Sequence, residues 1–365
     1  MRGYFIPKPD VDSLINLLAA EGYTVIGPRL EEGVVRLGPI KGLEVGIVDE
    51  QEAGYYRAKV KGNGLFLYAN GPDSMKKFLW PAVEKLLRVE RKKRGFRVEA
   101  AGKAADRYAF VGVRGCDVSA LEVLDRVFMS DKLFVESYVK MRKSCFILAV
   151  NCTNPSSTCF CDSMGNGPEV VSGYDLLLTE LGDAVLIEVG SEKGAKMVRL
   201  LGLKQAKDDM FEEKAALIER AKKGMKRHLD KEGVRRALQD SYESPVWRDV
   251  AGRCLACGNC TSVCPTCFCS DVIDRIELLD DSVERIRVWD SCFNLEFSYT
   301  AGFPIRGSIT SRYRQWFSHK FGYWREQFGP FGCVGCGRCI TWCPVGIDVT
   351  EVARLLPSRT PAIRR

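Results

Sequence analysis

Sulfur dominates the reactive side chains of this 365-residue chain, which has 16 cysteines and only two histidines, His228 and His319. Eight of the cysteines form two runs of one spacing, C-x2-C-x2-C-x3-C-P. The first is Cys254, Cys257, Cys260 and Cys264 before Pro265; the second is Cys333, Cys336, Cys339 and Cys343 before Pro344. This spacing holds two 4Fe–4S cubanes in bacterial ferredoxins, where the fourth cysteine of each run ligates the other cluster. A cubane offers four iron corners in a compact tetrahedron, and two-residue gaps let one tight loop reach three of them. Gly258, Gly335 and Gly337 ease the loop backbone, and each proline removes a backbone donor and redirects the chain after the ligand. The expected ligand sets are Cys254, Cys257 and Cys260 with Cys343, and Cys333, Cys336 and Cys339 with Cys264. The fourth cysteine of each run is expected to open a helical stretch. Zinc is the competing metal, but zinc sites need only four ligands, in paired C-x2-C knuckles. The third and fourth cysteines of each run are surplus for it.

Of the other cysteines, Cys116, Cys152, Cys159 and Cys161 sit on loops. The turn-rich segment from Cys152 to Cys161 leaves its thiols free to converge. Cys116 falls at an expected helix N-terminus, where the dipole favours a thiolate. A third 4Fe–4S cluster and four unrelated thiols are both compatible with this spacing. Cys145 opens an apolar strand and reads as a small buried hydrophobe. Cys267, Cys269 and Cys292 are three, so they would need a non-cysteine fourth ligand. Otherwise they form a reactive thiol group or serve to build and shield the clusters.

Elements must position these sulfurs. Apolar residues make up 46% of the chain and charged residues 28%, as in a globular protein of two or three domains. No apolar run approaches the roughly 20 residues of a membrane span, and the N-terminus lacks a signal-peptide core. The expected location is therefore the cytoplasm, where thiols stay reduced. No cysteine precedes Cys116 and none lies between Cys161 and Cys254. The expected fold is α+β: an N-terminal mixed α/β module over 1–240, then a ferredoxin-like two-cluster module over 241–357 with a long insert between the cysteine runs.

Helical spacing of Val11, Leu14, Ile15 and Leu18 predicts a first helix. Residues 23–26, 43–48 and 65–68 read as strands, and 75–89 as an amphipathic helix kinked at Pro81. The runs 108–113, 145–150 and 183–189 read as strands of a parallel sheet, with a turn at 114–117 and a helix over 118–128. Cys116 and Cys152 then fall at carboxyl ends of strands, where such sheets carry ligands. Residues 204–240 read as exposed helices, and Ser244 to Trp247 as the start of the second module.

The formal net charge is +7. Twelve cysteine thiolates around three oxidised cubanes would lower it by about six, so the basic excess is no argument for nucleic acid. The aromatic and basic stretch 313–331 reads as packing around clusters or a subunit interface rather than a nucleic-acid platform. Arg253 and Arg338 beside the cysteines would raise the cluster potentials.

The segments Val111 to Asp117, Cys159-Phe-Cys161, Cys254 to Cys269, Trp289 to Cys292 and the final cysteine run resemble the iron–sulfur β subunit of cytoplasmic sulfhydrogenases and the A subunit of anaerobic sulfite reductase. The likeness covers nearly the whole chain, including Pro72 to Glu90. It implies an electron-transfer subunit without catalysis of its own. A partner carrying flavin would exchange electrons with NAD(P)H, and a nickel–iron hydrogenase or sirohaem sulfite reductase would receive or supply them. It also implies a third 4Fe–4S cluster at Cys116, Cys152, Cys159 and Cys161. The absence of a G-x-G-x-x-G, a P-loop or a Ser/His/Asp set agrees with a relay. The competing reading is a subunit that itself reduces polysulfide or sulfite, at a cluster or at exposed thiols such as Cys267 and Cys269.

Overall fold

A computed structural model describes residues 3–100, 106–277 and 281–356. The expected module limits at residues 1 and 357 lie outside them. The apolar runs meet in one eight-stranded sheet. Its order is Lys204–Gln205, Gly3–Pro7, Ala184–Val189, Leu176–Leu181, Phe146–Val150, Tyr108–Val113, Thr24–Glu31, Val34–Pro39. Parallel pairing is confined to the centre, where Phe146–Val150 lies between Tyr108–Val113 and Leu176–Leu181, and Thr24–Glu31 joins Tyr108–Val113. Ala184–Val189, expected to be parallel, is antiparallel. It follows Leu181 through Gly182 and Asp183 alone, and two residues make a hairpin but not a crossover.

The central strands are continuously apolar because both faces are covered. Phe146, Leu148 and Val150 face one core with Leu14, Ile15 and Leu18 of the Asp12–Ala20 helix and Met197 of the Glu192–Leu201 helix. Ile147 and Ala149 face the other core, with Leu121, Leu124 and Val127 of the Gly115–Phe128 helix. Gly112 (φ +78°) breaks this alternation, and the pairing register shifts between Leu148 and Ala149. Such a bulge turns the chain out of the sheet. The helix starts at once, at Gly115 after Arg114, so the expected turn at 114–117 is its first turn and carries Cys116.

The strand expected over 43–48 begins only at Ile47, as Ile47–Glu52, and two other expectations fail for identifiable reasons. Residues 65–68 are not a strand, because carboxylates take up their backbone donors. Glu180 accepts from the Leu65 and Phe66 N–H groups at 2.9 and 3.0 Å, and Asp49 from that of Ala69 at 3.0 Å. Residues 75–89 hold only a one-turn helix, Lys76–Leu79, which ends before Pro81; Val83–Arg91 is a strand. It is recruited by Ser282–Trp289 from the insert, in a four-stranded sheet ordered Ser270–Glu277, Ser282–Trp289, Val83–Arg91, Phe96–Ala100. Arg287 ties the junction by its ion pair with Glu84 at 2.9 Å and by stacking 3.4 Å over the Trp80 ring. This sheet joins segments from both sides of residue 240.

The C-terminal region packs short helices around a third core. The Val246–Arg253 helix buries Trp247, and the Ile309–Ser318 helix buries Tyr313, Trp316 and Phe317. The helices expected over 204–240 are Asp208–Gly224 and Lys231–Asp240. Arg338, in the one-turn Arg338–Thr341 helix, reaches back to the N-terminal layer. It makes a two-pronged ion pair with Asp117 at 2.8 and 2.9 Å and donates to the Gly71 and Asp73 carbonyls. Both residues are buried. Removing one partner of such a pair strands a charge in the interior. Asp117→Ala or Arg338→Ala is therefore expected to cost about 3–5 kcal/mol in anaerobic denaturant unfolding, and a loss below about 1 kcal/mol would refute a structural role for the pair.

Candidate iron–sulfur centres

The two runs fold alike. Cys254 directly follows the Val246–Arg253 helix, and Cys333 follows bends in the chain. Two residues after each, Ala256 and Gly335 take left-handed backbone (φ +51° and +72°), as do Gly258 and Gly337 (φ +75° and +76°). These bends curl each loop so that its sulfurs face inward. One-turn helices, Asn259–Ser262 and Arg338–Thr341, carry the third cysteines. Cys264 and Cys343 come after them in turns and do not open helices as expected. The proline that follows each one removes the donor that would extend the helix.

One cavity is lined by Cys254, Cys257, Cys260, Cys339 and Cys343, with Phe293, Tyr313 and Trp316 as walls. A second is lined by Cys333, Cys336, Cys339 and Cys264, with Phe160, Trp316, Lys320 and Phe321. Each gathers three sulfurs from one run and the last sulfur of the other. Trp316, Cys339 and Val349 line both, so the cavities are neighbours. Backbone N–H groups point at the sulfurs: Ala256 to Cys254 at 3.4 Å, Gly335 to Cys333 at 3.4 Å and Ile347 to Cys343 at 3.3 Å. Such donors stabilise thiolates.

The donor set fits a cluster rather than a lone ion. Among the described residues, no three His, Cys, Asp or Glu side chains gather closely enough to hold a single metal ion. A tetrahedral zinc would draw its sulfurs to within about 4 Å of each other, given its bond lengths of about 2.3 Å. Burial pushes the Cys260 and Cys339 thiols well up and that of Cys333 to about 12. A metal centre that takes these sulfurs as ligands displaces those protons. Cys264 goes the other way. A hydrogen bond from Cys267 holds it as a thiolate against its burial, helped by the Lys320 ammonium 3.3 Å away.

Cys116, Cys152, Cys159 and Cys161 are all buried. Cys161 faces both Cys152 and Cys159, and Cys116 faces Cys161. Burial raises all four thiols, Cys159 to about 12. Asn70 donates to the Cys116 sulfur at 3.0 Å, and the Ser156 hydroxyl lies 3.1 Å from that of Cys159. Arg114 donates to the Phe66 and Tyr68 carbonyls through one nitrogen, while its buried Nη1 has no protein partner and its charge favours the Cys152 thiolate. An orphaned cationic donor beside four buried thiols fits an anionic cluster there. The second loop presses on this group: the Phe160 N–H donates to Gly335 at 2.9 Å. A Cβ on Gly335 would lie 2.6 Å from the Phe160 carbonyl, and one on Gly337 2.5 Å from that of Thr158.

Charges and thiols also depart from expectation. Arg253 is exposed; Arg338 is paired with Asp117, and its charge still favours the Cys336 and Cys116 thiolates. Lys320 and Lys76, both buried, are further cations beside the sulfurs. Lys320 also donates to Thr266 at 2.7 Å and Gly332 at 2.9 Å, and its burial is outweighed by Cys264, Cys267 and Cys333, which keep it protonated. Lys76 donates to the Cys267 carbonyl at 3.1 Å, and burial lowers its proton affinity. Nothing in the sequence marked these lysines, which lie far from the runs. Cys267, expected to be exposed, is buried, whereas Cys269 and Cys292 are half-buried. Cys145 is buried behind Arg142. Of the 313–331 aromatics, Tyr313, Trp316 and Phe321 line the cavities.

A 4Fe-4S dicluster domain family matches residues 253–347. The chain is 36% identical over 254 residues to sulfhydrogenase 2 subunit beta of Pyrococcus furiosus, an alignment covering 67% of this chain and 73% of that protein. No solved structure matches. Among the described residues, no helix is long and apolar enough to cross a membrane.

The unequal loops make a test. Gly335→Ala is expected to destabilise by several kcal/mol, because the methyl meets backbone and the φ disfavours it. Ala256→Gly, at the matching position, should leave stability unchanged or raise it by up to about 1 kcal/mol. Denaturant midpoints of the two variants decide, and equal effects would show that the loops are not under these constraints.

Proposed function

The chain belongs to the family of sulfhydrogenase β subunits, iron–sulfur proteins with a 4Fe-4S dicluster domain, and on that premise we propose that it relays single electrons between two other subunits. One partner would be a flavin subunit that uses NAD(P)H; the other would be a catalytic subunit of the nickel–iron hydrogenase or sulfite reductase type. The proposed ligand sets are Cys254, Cys257, Cys260 and Cys343; Cys333, Cys336, Cys339 and Cys264; and, for a third cluster, Cys116, Cys152, Cys159 and Cys161. A cubane supplies a one-electron acceptor and donor with little change of shape.

The observation that carries the reading is the pair of adjacent cysteine-lined cavities that share Trp316 and Cys339. Aromatic side chains line both cavities, Cys257 alone among the eight dicluster cysteines being exposed, and backbone donors reach the Cys254, Cys333 and Cys343 sulfurs. The pressing of the second loop against 158–161 supports a chain of three centres, with Gly335 and Gly337 allowing close approach. The expected site of action is the cytoplasm.

Anaerobic affinity purification of the chain from its source, with identification of bound subunits, is expected to recover a flavoprotein and a hydrogenase or sirohaem subunit; recovery of the chain alone would overturn the relay. Analysis of iron and acid-labile sulfide is expected to give about 12 of each per chain. Cys152→Ser should lower this to about 8 while keeping the paramagnetic signal of the reduced dicluster. A wild-type count of about 8 would remove the third centre. Lys320→Met removes a positive charge beside Cys264 and should make one cluster harder to reduce. An electron paramagnetic resonance titration would show its midpoint shifted to lower potential, and an unshifted midpoint would exclude Lys320 as a tuning charge.

A further inference from the structure

Cys269 and Cys292 lie outside all three ligand sets, and the fold brings them together. Cys269 immediately precedes the Ser270–Glu277 strand, and Cys292 follows Ser282–Trp289 by two residues. The register pairs Ser270 with Trp289 and continues to the Asp290 N–H, which donates to the Cys269 carbonyl at 2.9 Å. The open end of the hairpin thus sets the two sulfurs side by side, and the Cys292 thiol and backbone N–H both hydrogen-bond to the Cys269 sulfur. Both cysteines line a pocket of about 350 Å³ together with Arg306, His319, Phe268 and Phe297. On the protein side, Cys292 faces Cys260 of the first ligand set. Cys269 faces Cys267, which hydrogen-bonds to Cys264 of the second set. A dithiol, which becomes a disulfide on losing two electrons and two protons, thus lies near sulfurs of both dicluster ligand sets and lines a pocket.

We propose that Cys269 and Cys292 form a redox-active dithiol that reduces a small anionic disulfide in this pocket. The inference rests on the relay reading for its supply of electrons. Arg306 gives the pocket a positive charge, and Phe268 and Phe297 offer apolar surface for the organic part of the substrate. Cys269 is the attacking group. The hydrogen bond from Cys292, working against burial and aided by Lys320, brings its thiol down to about 7, whereas Cys292 is driven up by donating that bond. The Cys269 thiolate attacks one sulfur of the substrate, whose S–S bond breaks. A mixed disulfide forms on Cys269, and the first thiolate leaves and takes up a proton. Cys292 then loses its proton and attacks the Cys269 sulfur. The mixed disulfide breaks, the second thiol leaves, and a Cys269–Cys292 disulfide remains. Two electrons and two protons restore the dithiol, the electrons arriving singly through the relay.

The test uses the full chain loaded anaerobically with iron and sulfide. It is exposed to 3,3′-dithiodipropionate, quenched with iodoacetamide and mapped by mass spectrometry. A peptide cross-linked between Cys269 and Cys292 is expected, and photochemical reduction of the loaded chain should reverse it. Cys292→Ser should accumulate the mixed disulfide on Cys269, and Cys269→Ser should form neither species, while both variants keep the paramagnetic signal of the reduced clusters. Cystamine has the same length and the opposite charge. The wild type should react faster with dithiodipropionate, and Arg306→Gln should lower that preference about fivefold. Adducts on other cysteines, or a cross-link that cluster reduction leaves intact, would overturn the proposal even if a variant fails to fold, because both are read on the wild type. Absence of any cluster signal would overturn the relay reading instead, and the wild-type adduct map would still decide the chemistry of the pair.

Discussion

The ion pair between Asp117 and Arg338 sets the geometry on which the sulfur sites depend. Neither charge is tolerable in the interior alone, so the start of the Gly115–Phe128 helix and the Arg338–Thr341 turn must meet wherever else the chain goes. Cys116 is the neighbour of one partner and Cys339 of the other. The pair thereby fixes the N-terminal thiols relative to the dicluster region. Arg338 still favours the Cys336 and Cys116 thiolates, and Lys320, buried among Cys264, Thr266 and Gly332, does the same for Cys264.

The two cysteine runs share a spacing but not an environment. The first bends through Ala256 and faces the third core with its aromatic residues. The second bends through Gly335 and Gly337, because its outer surface carries the backbone of residues 158–161 rather than side chains. The left-handed bends shape both loops, and close approach to a neighbouring backbone is the extra demand on the second. The difference between alanine and glycine at matching positions follows from that.

The insert between the runs does two jobs. Its helices supply Tyr313, Trp316 and Phe321, which line the cavities. Its hairpin recruits Val83–Arg91 and so binds the dicluster region to the N-terminal layer a second time. An insert with only the first job would leave the Asp117–Arg338 junction as a lone hinge point. The two attachments on different faces resist rotation, as centres that must hold fixed spacing require.

By itself, the sequence determined the chemistry. The repeated spacing with its terminal prolines marks two cubanes, because those gaps match the corners of one rigid object, and a local pattern suffices to encode a local loop. The apolar runs 108–113 and 145–150 marked the central strands for the same reason. Tertiary structure decided what depends on contacts distant along the chain. Residues 75–89 carry helical spacing, yet Val83–Arg91 became a strand, because the insert offered backbone to pair with. Residues 65–68 carry strand-like spacing yet became a loop, because Glu180 and Asp49 took their donors. Arg338 acts on Cys336 and Cys116 as its place in the run suggests, but its pairing with Asp117 came only from folding, and Lys76, far from the runs in sequence, became a neighbour of sulfur the same way. Spacing encodes what one loop can hold; the energy of a buried charge or an unpaired N–H depends on whatever arrives next to it in space.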